Sequence, residues 1–177
     1  METNPYAPPT AAVADISSPG LKRRSVILMI VFSLVSFGFY YPIWFMRRRA
    51  AFNQLDSPRK LPLWPFVVAL AWFIFAFGFG FVMGVVRALE GSAGVLSQEE
   101  RLFFSIVRLA VGVLMLFQCF RTKDILEDHF AGPGDQVASP MFADAYRLSG
   151  VMTFFFQIFY LQYAINRYLA DSQAAPA

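Results

Sequence analysis

The chain has 177 residues, enough for one domain, and its formal net charge is only +3. It is 57% hydrophobic and 15% charged, and its mean hydropathy of +0.50 is too high for a soluble globular protein of this size. A single cysteine, Cys119, and a single histidine, His129, exclude an internal disulfide and the usual multi-cysteine and multi-histidine metal sites. We therefore predict no metal and no cofactor.

The first apolar stretch covers residues 25–46 and carries no charge. Residues 1–21 precede it and are rich in Pro, Ala and Ser, which is typical of a disordered tail. Gly38 and Pro42 predict a break, because the proline ring clashes with the carbonyl of Gly38. The stretch is therefore either one kinked transmembrane helix or a helix that turns back near Gly38 and Pro42.

The basic residues provide a way to compare these two interpretations. If every apolar segment crosses the bilayer, the Lys and Arg residues divide 6 against 8 between its two sides. If the first segment turns back, they divide 11 against 3, and the positive-inside rule places the basic side in the cytoplasm. Proline kinks are ordinary in transmembrane helices, so the kinked interpretation stays open at this point.

An amphipathic basic helix is predicted directly after the first segment, lying at the membrane interface. It carries Arg47, Arg48 and Arg49 and ends before Pro58. Residues 63–86 then form the clearest transmembrane span.

Small residues recur every four positions on that span, at Ala76, Gly80 and Gly84. This spacing lets a second helix approach closely. It predicts packing within the bundle, with a dimer interface as the alternative.

The third segment, residues 98–130, begins with a capping box in which Ser97 is the N-cap and Glu100 is the third helical residue. It is predicted to extend beyond the membrane and to end at the glycines after Phe130. The last segment, residues 140–169, follows a Ser139-Pro140 start signal and precedes a frayed tail at 171–177. The predicted fold is an all-α integral membrane domain, residues 22–170, with four apolar helical segments.

Arg108 is the one charged residue inside an apolar segment, which makes it the first candidate for a functional position. Its long side chain either extends towards the membrane surface or faces the bundle and bonds Gln162 or a neighbouring carbonyl. Gln162 and Asn166 lie one turn apart on the last helix, and hydrogen bonds between helices are favoured over a transport path. The polar residues at 124–129 are interpreted as a solvated helix face.

Two stretches carry a resemblance to a known family: Ser36-Phe37-Gly38-Phe39-Tyr40 with Trp44, and the run Tyr160-Leu161-Gln162-Tyr163-Ala164-Ile165-Asn166-Arg167. Together they resemble the small bacterial membrane proteins grouped as domain-of-unknown-function family 4234. The resemblance covers about residues 23–169. It implies a multi-pass protein of the inner membrane and implies no activity or catalytic residue.

No nucleophilic triad, phosphate-binding loop or dinucleotide fingerprint occurs, so an enzyme is the least favoured class. We expect a non-enzymatic scaffold or interaction protein whose partners are anionic lipid headgroups and either a membrane protein or a second copy of the chain, with no nucleic acid. The alternative is a small transporter or channel subunit that uses Arg108, Gln162 and Asn166. A water-filled cavity that reaches Arg108 would favour transport, and a tightly packed bundle would favour the scaffold.

Overall fold

The computed structural model describes residues 21–90, 97–130 and 147–174. These residues form five helices, and no strand is found among them. The helices are α1 (Val26–Val35), α2 (Tyr40–Gln54), α3 (Trp64–Glu90), α4 (Gln98–Phe130) and α5 (Gly150–Ala174). The predicted helix start at Ser139-Pro140 and the glycines that were expected to end α4 lie outside the described residues.

Helix α1 ends in a tight turn at residues 36–39. Phe37 has a φ of 49° and Gly38 a φ of 90°. The Gly38 N–H donates to the carbonyl of Ser33 at 3.0 Å and the Phe37 N–H to that of Leu34 at 3.1 Å, which is the Schellman pattern of a helix C-terminus. Pro42 then lies in the first turn of α2, where its missing N–H leaves no hydrogen bond unmade. The break predicted near Gly38 and Pro42 is confirmed.

The chain reverses direction at this turn. The guanidinium Nη2 of Arg48 donates to the backbone carbonyl of Lys22 at 2.9 Å, although the two residues are 26 positions apart. In one continuous helix that separation would be about 39 Å. The kinked transmembrane helix is therefore wrong, and α1 and α2 form an antiparallel hairpin. The predicted interfacial helix is the second half of α2.

Helices α3 and α4 have 27 and 33 residues, and both are long and apolar enough to cross a membrane. In the most apolar 18-residue stretch of each helix, only 11% and 22% of the stretch is buried. These two helices are therefore not core helices of the described fold. Among the described helices, α1 is apolar but has only 10 residues.

The capping box at the start of α4 is confirmed. The Ser97 N–H donates to Glu100 Oε2 at 2.8 Å, and the Glu100 N–H donates to Ser97 Oγ at 3.2 Å. Because this motif is local in sequence, it predicted the first residue of α4 correctly, and the last described residue, Phe130, also agrees with the prediction.

Helix α5 contains a second reversal, at Gln157, whose φ is 44° and ψ −120°. The Ser149 N–H donates to the Tyr160 hydroxyl at 3.0 Å, whereas in a straight helix their Cα atoms would lie about 16 Å apart. The ring centroids of Phe130 and Tyr168 lie 4.2 Å apart in a stacked arrangement. Glu127, in the same turn of α4, accepts the Leu148 N–H. Residues 148 and 168 therefore both contact the last turn of α4.

The two arms of α5, residues 150–156 and 158–174, are therefore antiparallel. The prediction that the last segment is one uninterrupted apolar helix is wrong. The described residues contain two candidate spans and two helical hairpins instead of four spans.

Both hairpins begin and end at one end of the molecule, which we call the basic end. Arg59 pairs with Asp124 at 2.6 Å, and Ser57 donates to Asp128 at 2.6 Å, so the α2–α3 loop meets the last turns of α4 there. The segment before α1 contacts both α2 and the second arm of α5 at the same end, because the Lys22 carbonyl accepts from Arg48 and from Gln162. All Lys and Arg residues of the sequence lie at the basic end except Arg87, Arg101 and Arg108.

Candidate functional site

The segment that precedes α1 is held by side chains from α5. Asn166 Oδ1 accepts the Arg24 N–H at 3.0 Å, and Asn166 Nδ2 donates to the Arg24 carbonyl at 2.6 Å. One amide side chain thus satisfies both backbone groups of Arg24. An asparagine can do this because its amide presents a donor and an acceptor side by side.

Gln162 supports this arrangement from one turn earlier on α5. Its Nε2 donates to Asn166 Oδ1 at 2.8 Å and to the Lys22 carbonyl at 3.3 Å. The side chain is fully buried, and its Oε1 has no partner among the described residues. We call Gln162, Asn166 and Arg48, which all bond the backbone of residues 22–24, the clasp.

Arg48 is the third member of the clasp and is 9% exposed. Its guanidinium lies over the Trp44 ring at 5.2 Å, a cation–π contact, while Nη2 bonds the Lys22 carbonyl. Burial, and next the positive charge of Arg24, lower the pKa of Arg48 to about 10. The guanidinium therefore stays charged at neutral pH.

The three arginines predicted at the interface have different environments. Arg47 is exposed, Arg48 is buried, and Arg49 donates from Nε to the Leu61 carbonyl at 2.8 Å. Helical periodicity placed Arg48 on a polar surface. The structure corrects this, because the residues before α1 fold back across that face of α2.

Arg108 does not join the clasp. It lines a cavity of about 560 Å³ between α3 and α4, together with Tyr41, Gln157 and Ala76. No bond between Arg108 and Gln162 is found in the described part of the chain, and the amide of Gln162 is bound to Lys22 and Asn166 instead. The predicted bond between Arg108 and Gln162 assumed that the last helix is straight. The reversal puts Gln157 in the wall of the cavity that Arg108 also lines.

The small-residue face of α3 is not packed by another described helix. A Cβ built at Gly80 or at Gly84 would meet no atom of the described residues within 4 Å, and both glycines are exposed. Only Ala76 is partly buried, at the cavity. The predicted packing within the bundle is wrong at the two glycines, and the dimer alternative stays a prediction.

The acidic residues at 124–128 form specific contacts rather than a free solvated face. Asp124 pairs with Arg59, Asp128 accepts from Ser57, and Glu127 accepts the Leu148 N–H at 2.6 Å. These contacts connect the end of α4 to the α2–α3 loop and to the start of α5. They account for the cluster structurally.

The fold and these contacts define an all-α protein whose two longest helices have the length and apolarity of membrane spans. A family model described as "Domain of unknown function (DUF4234)" matches residues 24–128, and the chain belongs to this family. The match covers α1 to nearly the end of α4, so the run at 160–167 lies outside it. Searches of curated proteins and of solved structures gave no match.

Proposed function

We propose that the protein is a multi-pass protein of the bacterial cytoplasmic membrane. In this proposal α3 and α4 cross the bilayer, and the two hairpins enter it from the basic end and return. Large exposed apolar side chains on α1, α3, α4 and the first arm of α5 support a lipid environment. Examples are Ile27, Phe81, Leu109 and Phe155.

The observation that carries the proposal is the distribution of charge produced by the two reversals. Only Arg87 and Arg101 remain at the far end, and Arg108 lies within α4. The positive-inside rule then assigns the basic end to the cytoplasm, with a larger excess than the sequence alone predicted, because the second reversal also brings Arg167 to that end.

We further propose that the protein acts as a non-enzymatic scaffold or interaction protein at the inner leaflet. The clasp fixes the start of the first hairpin against α5, so the exposed basic residues at 22–24 and 47 are held in one surface. Such a surface suits anionic headgroups. The protein partner in this proposal is another membrane protein or a second copy of the chain.

Single cysteines in a Cys119→Ser background test the topology. Cysteines at Glu2, Gln54, Gly134 and Ala175 should react with a membrane-impermeant maleimide only after the cells are opened, whereas one at Ala93 should react in intact cells. The cysteine-free variant supplies the background. Labelling of positions 2 and 54 from opposite sides would overturn the hairpin topology.

One observation favours a second function, a small transporter or channel subunit. The cavity reaches Arg108, which is what we expected of a transporter, and it is lined by both hairpin turns through Gly38 and Gln157. Anion flux into proteoliposomes that is lost in Arg108→Gln and kept in Arg87→Gln would establish this function. Equal flux in all variants and in empty vesicles would exclude it.

A further inference from the structure

A cavity of about 190 Å³ lies at the basic end, next to the clasp. Four basic residues contribute to its wall, and among the described residues no carboxylate does. The residues that line it are Lys22, Arg24, Tyr40, Trp44, Arg47 and Arg48. Like charges repel when they are held together, so such a wall is stabilised by an anion between them.

Two buried donors in this wall have no partner among the described residues. Arg48 Nη1 and Trp44 Nε1 are inaccessible to solvent and make no hydrogen bond with the described residues. The two residues are 9% and 3% exposed, respectively. Buried donors are nearly always hydrogen-bonded in folded proteins. Both an arginine N–H and an indole N–H can donate to the oxygens of a phosphate group.

A second cavity of about 300 Å³ shares Lys22, Arg24 and Tyr40 with the first. Its remaining wall includes the apolar side chains of Leu28, Met29 and Phe32 on α1. A charged pocket that continues into an apolar groove suits a molecule with a phosphate at one end and a hydrocarbon chain at the other.

We propose that these two joined cavities bind one anionic phospholipid, with its phosphate between Arg24, Arg47 and Arg48 and an acyl chain along α1. This assignment rests on the proposed membrane location and adds a specific ligand to it. A free phosphate shares the headgroup chemistry but would leave the apolar groove unfilled. The bound lipid would connect α1 to α2 at the point where the clasp connects α1 to α5.

The test titrates detergent-solubilised protein with phosphatidylglycerol and counts bound lipids by native mass spectrometry. Each basic residue near an anionic lipid contributes about fivefold in affinity, so Arg24→Gln and Arg47→Gln should each weaken binding about fivefold and the double variant about 30-fold. Arg147→Gln removes the same charge at the same end, outside the two cavities, and should change binding less than twofold.

Arg48→Gln should also weaken binding of phosphatidylglycerol, and the melting temperature of this variant shows whether it is folded. Arg24→Gln keeps the backbone bonds to Asn166 and does not depend on that check. Three results would overturn the proposal: equal binding of phosphatidylcholine, an equal loss in Arg147→Gln, or full displacement of the lipid by inorganic phosphate at equal concentration. The last result would assign a free anion instead.

Because binding is measured in detergent, it does not depend on which side of the membrane the basic end occupies. Failure of the lipid site would leave the cysteine-labelling result unchanged. Failure of the labelling experiment would in turn leave the affinities unchanged.

Discussion

Replacing Asn166 by alanine tests whether the clasp holds the first hairpin in place. The change removes three hydrogen bonds: two to the backbone of Arg24 and one from Gln162. A net hydrogen bond contributes about 0.5–1.5 kcal/mol in water and about 0.6 kcal/mol on average in a membrane protein. Because the Arg24 groups are exposed and can bond water instead, we expect a loss of about 2 kcal/mol in the free energy of unfolding.

For a chain of this size such a loss lowers the melting temperature by about 4–8 °C. Thermal unfolding in detergent micelles, followed by circular dichroism, measures it. Gln54→Ala is the matched control, because Gln54 is an exposed amide at the end of α2 and should change stability by less than about 0.5 kcal/mol.

A local measurement separates the clasp from general destabilisation. Trypsin cleaves after Lys and Arg, so loss of the clasp should speed cleavage at residues 22–24 at temperatures where the variant is still folded. The reasoning is refuted if Asn166→Ala matches Gln54→Ala in melting temperature and its cleavage rate at 22–24 equals that of the wild type.

Four further substitutions have expected outcomes that unfolding or exchange measurements can check. Gly38→Ala should cost about 1–2 kcal/mol, because its φ of 90° disfavours any residue with a Cβ; an unchanged melting temperature would contradict this turn geometry. Gly80→Ala and Gly84→Ala should be neutral or stabilising by up to about 1 kcal/mol, since no atom in the described part of the chain lies within 4 Å of the new methyl group, whereas a clear loss would indicate a further packing partner. Ser97→Ala should cost about 1 kcal/mol and speed amide exchange at Glu100, its capping partner; unchanged exchange there would argue against the capping box.

The features that sequence reasoning predicted correctly have local causes. The start of α4 depends on two residues three positions apart, and the first turn depends on a glycine and a proline close to each other. Helical character and apolarity of α3 and α4 follow from composition over a long window. Each of these signals can be read without knowing what packs against the segment.

The features it missed depend on tertiary contacts. The reversal at Gln157 lies in a run of aromatic residues without glycine or proline, and contacts such as Ser149 with Tyr160 hold it in place. Burial of Arg48 requires Lys22 to fold back over α2. The predicted pairing of Arg108 with Gln162 was wrong because it assumed regular helical spacing along the whole last segment. The sequence carries no signal for the break at Gln157.

Both reversals use backbone conformations that are costly for residues with side chains. Phe37 has a φ of 49° and Gln157 a φ of 44°, and such residues cost about 1–3 kcal/mol each. The two turns lie beside one another, since Gly38 and Gln157 line the same cavities. Strained backbone of this kind often occurs at functional sites, so the place where the turns meet, next to Arg108, is where a transport function would have to be sought.

The first turn also meets the main physical objection to a hairpin inside a bilayer, which is that non-helical backbone needs hydrogen-bond partners there. The N–H groups of Phe37 and Gly38 donate to carbonyls in the last turn of α1, and the N–H of Phe39 donates to the Ser36 carbonyl. The Tyr40 N–H donates to Ser36 Oγ at 2.9 Å, and the Tyr41 N–H donates to the Gly38 carbonyl at 3.1 Å. The next residue, Pro42, has no N–H to satisfy. From Phe37 through Pro42 every backbone N–H is therefore paired without water, as a turn at membrane depth requires of its donors.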